Sequence, residues 1–336
     1  METIVIVSLV ELADSQLEKL RAVSPRLEIH VHDSSAPLPA GLCDRVEIVL
    51  GGGGPVRDIA QFPRLKWVQN RGAGVDGFMK HPIWNSDVMI TTASGIHLTP
   101  IAERALAMML AFRAQLPQLW GYKQQKEWPK DRWAIFANPN LRGSTLGIVG
   151  YGAIGGELAR LADAMGMRVL ALNRSGQRRP MTGYLEPGVG DREMRIPARV
   201  YAADELAEML PECDHVVMLA PLTPATRQMF DAAAFARMKS TAYFYNYGRG
   251  GLIDEAAMIA ALQSGQIAGA GLDVFAREPL PADSPLWDMP NVIISPHIGG
   301  MTADYNDRIV ALFAENLRRY LDGQPLLNLV DRERGY

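Results

Sequence analysis

Cysteine is almost absent. Only Cys43 and Cys213 occur in 336 residues, in unrelated contexts, which argues against a disulfide framework and a cysteine-based metal site and fits a reducing, cytoplasmic setting. Dense blocks of Lys and Arg are missing as well. With a net charge of −3, the chain lacks the electrostatic footprint of a nucleic-acid binder, so anionic ligands would need local sites. No apolar run reaches the roughly 20 residues that a membrane-spanning helix needs. METIVIVSLVEL begins with Glu2 rather than a basic cluster and has no small-residue cleavage pattern, so it reads as a first strand. IAERALAMMLAF carries Glu103 and Arg104 and reads as a buried helix. No metal site is expected, and no repeat of solenoid period is visible. With 48% apolar and 21% charged residues the chain is ordinarily globular, and its length suits two domains.

What the sequence does have is alternation. IVIVSLV, LEIHVH, VEIVL, LKWVQN and VMITTA are apolar runs of strand length, interleaved with helical patterns such as LADSQLEKLRAV and one starting at Pro55. After a helix around residues 99 to 116 and an irregular Trp-rich stretch, a second series follows: TLGIVGYG, MRVLALN, HVVMLAP, TAYFYNY, IAGAGLDVF and VIISPH. Parallel strands need helical crossovers, so this order predicts two doubly wound α/β domains of the Rossmann-like kind. A dinucleotide-binding domain is placed at residues 99–296, inserted into a substrate domain made of residues 1–98 and 297–336. The helix DEAAMIAALQSG is expected to stop at Gly265. Residues 176 to 199, rich in Gly and Pro, read as a mobile surface loop, with Arg178 and Arg179 offering a cofactor flap as the other reading.

In GIVGYGAIGGELA, Gly150, Gly152 and Gly155 stand directly after a strand and before a helix. That spacing allows a tight turn, close approach of backbone to a pyrophosphate, and close packing of helix on strand, while the helix start at Ala153 and Ile154 offers N–H groups to phosphate. A second run, Gly51 to Gly54, is broken by Pro55 and reads as a turn. The next strand, VLALNRS, ends in Asn173, Arg174 and Ser175, where a carboxylate would normally meet the ribose hydroxyls of NAD. An amide, a guanidinium and a hydroxyl suit a 2′-phosphate instead, so NADP(H) is preferred, with NAD(H) the other possibility.

Polar residues also close three later strands: Arg249 in FYNYGRGGLIDE, Asp273 and Glu278 in AGLDVFAREPL, and His297 in ISPHIGG. Ligands of an open parallel sheet bind outside the carboxyl ends of its strands, so these groups can share one crevice. In this order, and together with LRGSTLGIVGYGAIG, CDHVVMLAPLTPAT and MKSTAYFYNYGRGGLIDE, they make the chain resemble the D-isomer-specific 2-hydroxyacid dehydrogenase family over nearly its whole length. REPLPADSPLW and the ending VDRERGY are similar to the glyoxylate/hydroxypyruvate reductases within it.

The resemblance implies an oxidoreductase that reduces small 2-oxo acids to D-2-hydroxy acids. His297 would be the acid, Glu278 would hold its ring and favour the protonated form, and Arg249 would engage the substrate carboxylate and polarise the carbonyl. It further implies that the amides of Gly72, Ala73 and Gly74 hold the substrate carboxylate. Asp273 would meet the nicotinamide carboxamide, with Ala220, Pro221, Tyr247 and Gly299 in cofactor-contact segments. Trp128 and Trp133 fall where the family dimerises, so a homodimer is expected, with aromatic core packing as the other reading. A phosphoglycerate-type enzyme is disfavoured by Arg174 and by the short stretch from His297 to Tyr336, and formate oxidation by the acidic Glu278. The alternatives kept are an NAD-dependent dehydrogenase of other specificity and a nucleotide-sensing, corepressor-like protein on the same fold. Loss of NADPH absorbance with 2-oxo acids would separate the enzymes from the sensor.

Overall fold

A computed structural model describes residues 2–52 and 58–336, so Gly53, Gly54 and the helix expected from Pro55 lie outside the described residues. The chain divides into two compact units. Unit 1 comprises Met1–His97, Gly183–Glu186 and Thr302–Tyr336, and unit 2 comprises Leu98–Thr182 and Pro187–Met301.

Unit 1 holds a parallel sheet of order β2-β1-β3-β4-β5, from β1 (Ile4–Ser8), β2 (Leu27–Val31), β3 (Val46–Leu50), β4 (Trp67–Gln69) and β5 (Met89–Thr91). In β1 alternate side chains point to opposite faces. Ile4 and Ile6 pack into one core with Ile309, Phe313 and Leu317 of the helix Tyr305–Leu321, and Val5 and Val7 into another with Val49, Val68 and Ile90. A strand covered on both faces reads as an unbroken apolar run, which is why IVIVS shows no polar alternation. Gly51 has φ +142, and a Cβ there would come within 2.8 Å of the Leu9 Cβ.

Unit 2 holds a seven-stranded parallel sheet of order β12-β11-β10-β9-β6-β7-β8. Its strands are β6 (Thr145–Val149), β7 (Arg168–Leu172), β8 (Arg199–Tyr201), β9 (His215–Met218), β10 (Tyr243–Asn246), β11 (Gly269–Leu272) and β12 (Val292–Ile294). The chain runs outward from β6 through β7 and β8, then returns to build the other side from β9. The strand order therefore reverses between β6 and β9, the place where such sheets bind ligands. The helix Leu98–Arg113 buries Leu98, Ala102, Ala105, Met109 and Phe112 at helical spacing. Gly265 has φ +72 and follows the helix Glu255–Gln263, as its C-terminal position predicts.

Several expectations are revised. The Trp-rich stretch is partly helical: Gln115 (φ +51) breaks the first helix, Pro117 sits at the start of a second, and Leu116–Gln125 forms that helix. β8 was not expected, because a three-residue edge strand beginning with an exposed Arg199 carries little pattern. Residues 297–301 join unit 2 rather than unit 1, because the backbone N–H groups of His297, Ile298 and Gly299 all bond Asp273.

The 176–199 segment is pinned rather than loose. Asp191 is buried and accepts from Arg195 N, Ile196 N and Tyr151 Oη, at 2.8, 2.9 and 2.8 Å, and Gly190 N donates to the buried Glu157 at 2.7 Å. Arg178 donates to the carbonyls of Met194 and Pro197. The tip Gly183–Glu186 belongs to unit 1, where Tyr184 N donates to Asn328 Oδ1 at 3.0 Å and Glu186 pairs with Arg308 at 3.1 Å.

His215, which opens β9, is fully buried between Tyr243 and Tyr245. Its Nε2 lies 3.0 Å from an Arg113 nitrogen and its Nδ1 3.0 Å from the Tyr245 hydroxyl. A guanidinium can only donate, so Nε2 accepts and the ring proton sits on Nδ1. Burial first, then the Arg113 charge, push its pKa from 6.5 down to about 3, against the opposing pull of Asp214. The folded state keeps the ring neutral where the unfolded chain protonates it. Stability is therefore lost as pH falls from 6.5 toward 3, by up to about 1.4 kcal/mol per pH unit. His215→Gln keeps an acceptor for Arg113 without the titration. Urea denaturation should show the wild type losing roughly 2 kcal/mol more than this variant between pH 6.5 and about 4.5; equal losses would contradict the assignment.

Candidate active site

The glycine turn sits at the reversal of strand order. Gly150 has φ +94, and a Cβ there would fall 2.4 Å from Ala220 N and 2.6 Å from Ala220 Cα, so the turns after β6 and β9 touch through backbone. A Cβ at Gly155 would lie 3.1 Å from Ile148, which shows how closely the helix Ala153–Ala164 approaches β6. At Gly152 a Cβ would meet nothing within 4 Å. Space there is open, and no side chain caps the helix start, so the first-turn amides of Ala153, Ile154 and Gly155 lack intrahelical partners. These features fit a dinucleotide pyrophosphate.

At the end of β7, Asn173 folds the chain into a tight turn. Its Oδ1 accepts from Ser175 N and Gly176 N, at 3.0 and 2.9 Å, and its Nδ2 donates to Gln177 O at 2.8 Å. Of the three polar groups expected at a 2′-phosphate, the amide is thus committed to the turn, while Arg174 is exposed and Ser175 half-buried.

β10, β11 and β12 deliver the remaining groups. Asn246 is fully buried, accepts from Gly248 N at 3.0 Å and donates to Arg249 O at 3.0 Å, shaping the loop that carries Arg249. Arg249 also donates to Gly248 O at 2.8 Å. A Cβ at Gly250 would sit 1.9 Å from the Phe275 carbonyl carbon, so the Arg249 loop lies directly on residues 275 and 276. Phe275 N in turn holds Glu278 Oε1 at 3.0 Å.

The other Glu278 oxygen, Oε2, is 2.6 Å from His297 Nδ1. His297 is about half exposed and takes the left-handed conformation at φ +52, which an L-residue adopts only when its surroundings hold it. Here Asp273 does the holding. Its carbonyl accepts from His297 N at 2.9 Å, its Oδ1 from Ser295 Oγ and Ile298 N, and its Oδ2 from Gly299 N at 2.9 Å. Oδ2 has one lone pair left for a further donor. A Cβ at Gly299 would fall 2.6 Å from that oxygen and 3.0 Å from the Tyr247 ring. Tyr247 is largely core: its hydroxyl donates to Met108 Sδ at 3.1 Å, and burial raises its pKa well above the ordinary value. Pro221 O accepts from Thr226 Oγ1 at 2.6 Å.

In unit 1, the Gly72–Gly74 turn follows β4. Asn70 Nδ2 donates to Gly72 O at 3.1 Å and Gly74 O at 2.9 Å, and no acceptor for the amides of Gly72, Ala73 or Gly74 occurs among the described residues. Asn70, Asn246, Ser295 and Asp191 were not singled out from sequence. An Asn closing a strand before a Gly-rich turn is the only local signal, shared by Asn70 and Asn246.

Comparison with known proteins identifies the family. The family profile described as D-isomer specific 2-hydroxyacid dehydrogenase, NAD binding domain, matches residues 106–299. Glyoxylate/hydroxypyruvate reductase B of Citrobacter koseri is 34% identical over 273 residues, covering 81% of this chain and 80% of the relative. The D-isomer specific 2-hydroxyacid dehydrogenase of Xanthobacter autotrophicus Py2, solved in complex with NADPH and MES, superposes with a TM-score of 0.81 at 30% identity, covering all of both chains. An NADPH-dependent glyoxylate/hydroxypyruvate reductase of Sinorhizobium meliloti, solved with NADP and sulfate, gives 0.79 at 29% identity, covering 99% of this chain and 100% of that one. With its glycine turn, its Glu278–His297 pair and these likenesses together, the chain belongs to the D-isomer specific 2-hydroxyacid dehydrogenase family.

Proposed function

We propose that the protein reduces small 2-oxo acids, glyoxylate and hydroxypyruvate among them, to D-2-hydroxy acids with NADPH. The observation that carries this reading is the Glu278–His297 contact at 2.6 Å, set beside the Arg249 loop at the carboxyl ends of β10, β11 and β12. The glycine turn and the amides of Ala153, Ile154 and Gly155 would hold the pyrophosphate, Arg174 and Ser175 the 2′-phosphate, and the remaining lone pair of Asp273 the carboxamide, with Ala220, Pro221, Tyr247 and Gly299 around them. NADPH held by these residues would be the source of the hydride for C2 of the substrate.

Glu278 accepts from Nδ1–H of His297 and so leaves the Nε2–H to face the substrate carbonyl. That proton passes to the carbonyl oxygen as negative charge grows on it. Arg249 brings a fixed positive charge to the carboxylate and the same oxygen. The Gly72–Gly74 amides hold the carboxylate. The relatives named for glyoxylate and hydroxypyruvate, and the solved structures containing NADPH or NADP, support this choice of substrate and cofactor.

A panel of glyoxylate, hydroxypyruvate, pyruvate and bulkier 2-oxo acids, followed by NADPH absorbance, tests the substrate range. The highest kcat/KM is expected for the two small substrates; a preference for branched or aromatic 2-oxo acids would overturn it.

The active form is a homodimer in this reading. Trp128 and Trp133 are 81% and 80% exposed, so neither lies in a core of its own chain, and Leu116, Leu119 and Trp120 are exposed beside them in sequence. Apolar surface of this kind marks an interface. In sedimentation velocity the wild type should run as a dimer and the double variant Trp128→Asp, Trp133→Asp as a monomer; a monomeric wild type would defeat the assignment. No helix among the described residues is long and apolar enough to cross a membrane.

A further inference from the structure

The amides of the Gly72–Gly74 turn are oriented through the carbonyls of their peptide units, and one buried side chain holds two of the turn's carbonyls. A trans peptide unit is planar, with its C=O and N–H pointing in opposite directions, so fixing the oxygen fixes the hydrogen. The Arg71 carbonyl accepts from the Tyr305 hydroxyl at 2.7 Å, which turns the Gly72 N–H the other way. The Gly72 carbonyl accepts from both Asn70 Nδ2 and Ala93 N, at 3.1 and 2.9 Å, which turns out the Ala73 N–H. The Gly74 carbonyl accepts from the same Asn70 Nδ2 at 2.9 Å. Asn70 thus brackets the Ala73–Gly74 peptide between two pinned neighbours.

Two carbonyls converging on one end of the Asn70 amide also fix which end is NH2. Asn70 is itself only 7% exposed, and its own N–H is tied to Thr91 O at 2.7 Å, so the clamp rests on the sheet. The Tyr305 hydroxyl, donating to Arg71 O, accepts in turn from His97 Nε2 at 3.1 Å.

We propose that Asn70 is a positioning residue for the substrate carboxylate: by holding the carbonyls of Gly72 and Gly74 it orients the Ala73 N–H and fixes both neighbours of the Ala73–Gly74 peptide, so that the turn presents a preformed anion cradle, with Tyr305 as a secondary support. This rests on the functional reading above and concerns the Michaelis complex rather than the proton transfer.

The test compares wild type, Asn70→Ala and Asn70→Asp by steady-state kinetics with glyoxylate and by calorimetric titration with oxalate in the presence of NADPH. Both variants should raise the KM for glyoxylate and the Kd for oxalate at least about tenfold, with kcat and the KM for NADPH within about twofold, as expected for loss of a ground-state anion contact. Asp keeps the shape but cannot donate to the carbonyls, so it should be no better than Ala. A lowered melting temperature with unchanged KM and Kd would show a merely structural role and overturn the inference alone. A wild type that neither reduces glyoxylate nor binds oxalate would overturn the functional reading and this inference with it. Should the Asn70 variants fail to fold, Tyr305→Phe removes the pin on Arg71 and keeps the ring; its KM should rise about threefold with kcat retained, and an unchanged KM would overturn the proposal.

Discussion

Replacing His297 with Ala is expected to lower kcat for glyoxylate reduction by about 10²–10⁴-fold, the range for removal of a positioned general acid. NADPH affinity, read by quenching of protein fluorescence, should stay within about twofold. The reason is geometric. The main-chain bonds that organise the 295–299 turn run from His297 N, Ile298 N and Gly299 N to Asp273, and they do not depend on the imidazole. The imidazole's one side-chain partner among the described residues is Glu278. Deleting it removes the proposed proton donor and leaves the turn's main-chain bonds in place. Near-normal turnover would remove His297 from the chemistry, and a large loss of NADPH binding would make it a structural residue instead.

Arg174→Asp should collapse the preference for NADPH over NADH, measured as the ratio of kcat/KM values, by at least about a hundredfold. Two charge-assisted bonds from a guanidinium to a phosphate contribute roughly 1.5–3 kcal/mol each, and a carboxylate in their place repels the phosphate and accepts from ribose hydroxyls. The turn is built to survive the change. Asn173 supplies the bonds to Ser175 N, Gly176 N and Gln177 O, and Arg174 is exposed. An unaltered ratio would mean that the 2′-phosphate is recognised elsewhere, and Arg179 is the next residue to test.

Much of this was legible because the strands of a parallel sheet are buried on both faces. IVIVS, VEIVL, TLGIV and HVVM needed no alternation to be recognised as strands, and Gly150, Gly152 and Gly155 carried their own structural context. The groups proposed for the site also had a sequence signal, since Arg249, Asp273, Glu278 and His297 each follow such a run.

What escaped were side chains whose partners are remote in sequence. Asp191 bonds Tyr151 across 40 residues, and Glu157 bonds Gly190 across 33, so neither leaves a local pattern; the loop they fasten looked loose from its Gly and Pro content. The turn formed by Asn173 was not legible either, because an Asn at a strand end serves as ligand or turn-former equally well in sequence. The helix Leu116–Gln125 escaped because it buries no residue and so shows no apolar stripe facing its own chain's core.

The most direct test of the central claim is the product formed from hydroxypyruvate with NADPH as the sole reductant. One D-glycerate for each NADPH oxidised is the predicted result. Tight NADPH binding with no oxidation in the presence of any 2-oxo acid would contradict it and leave a nucleotide sensor on an enzyme's fold.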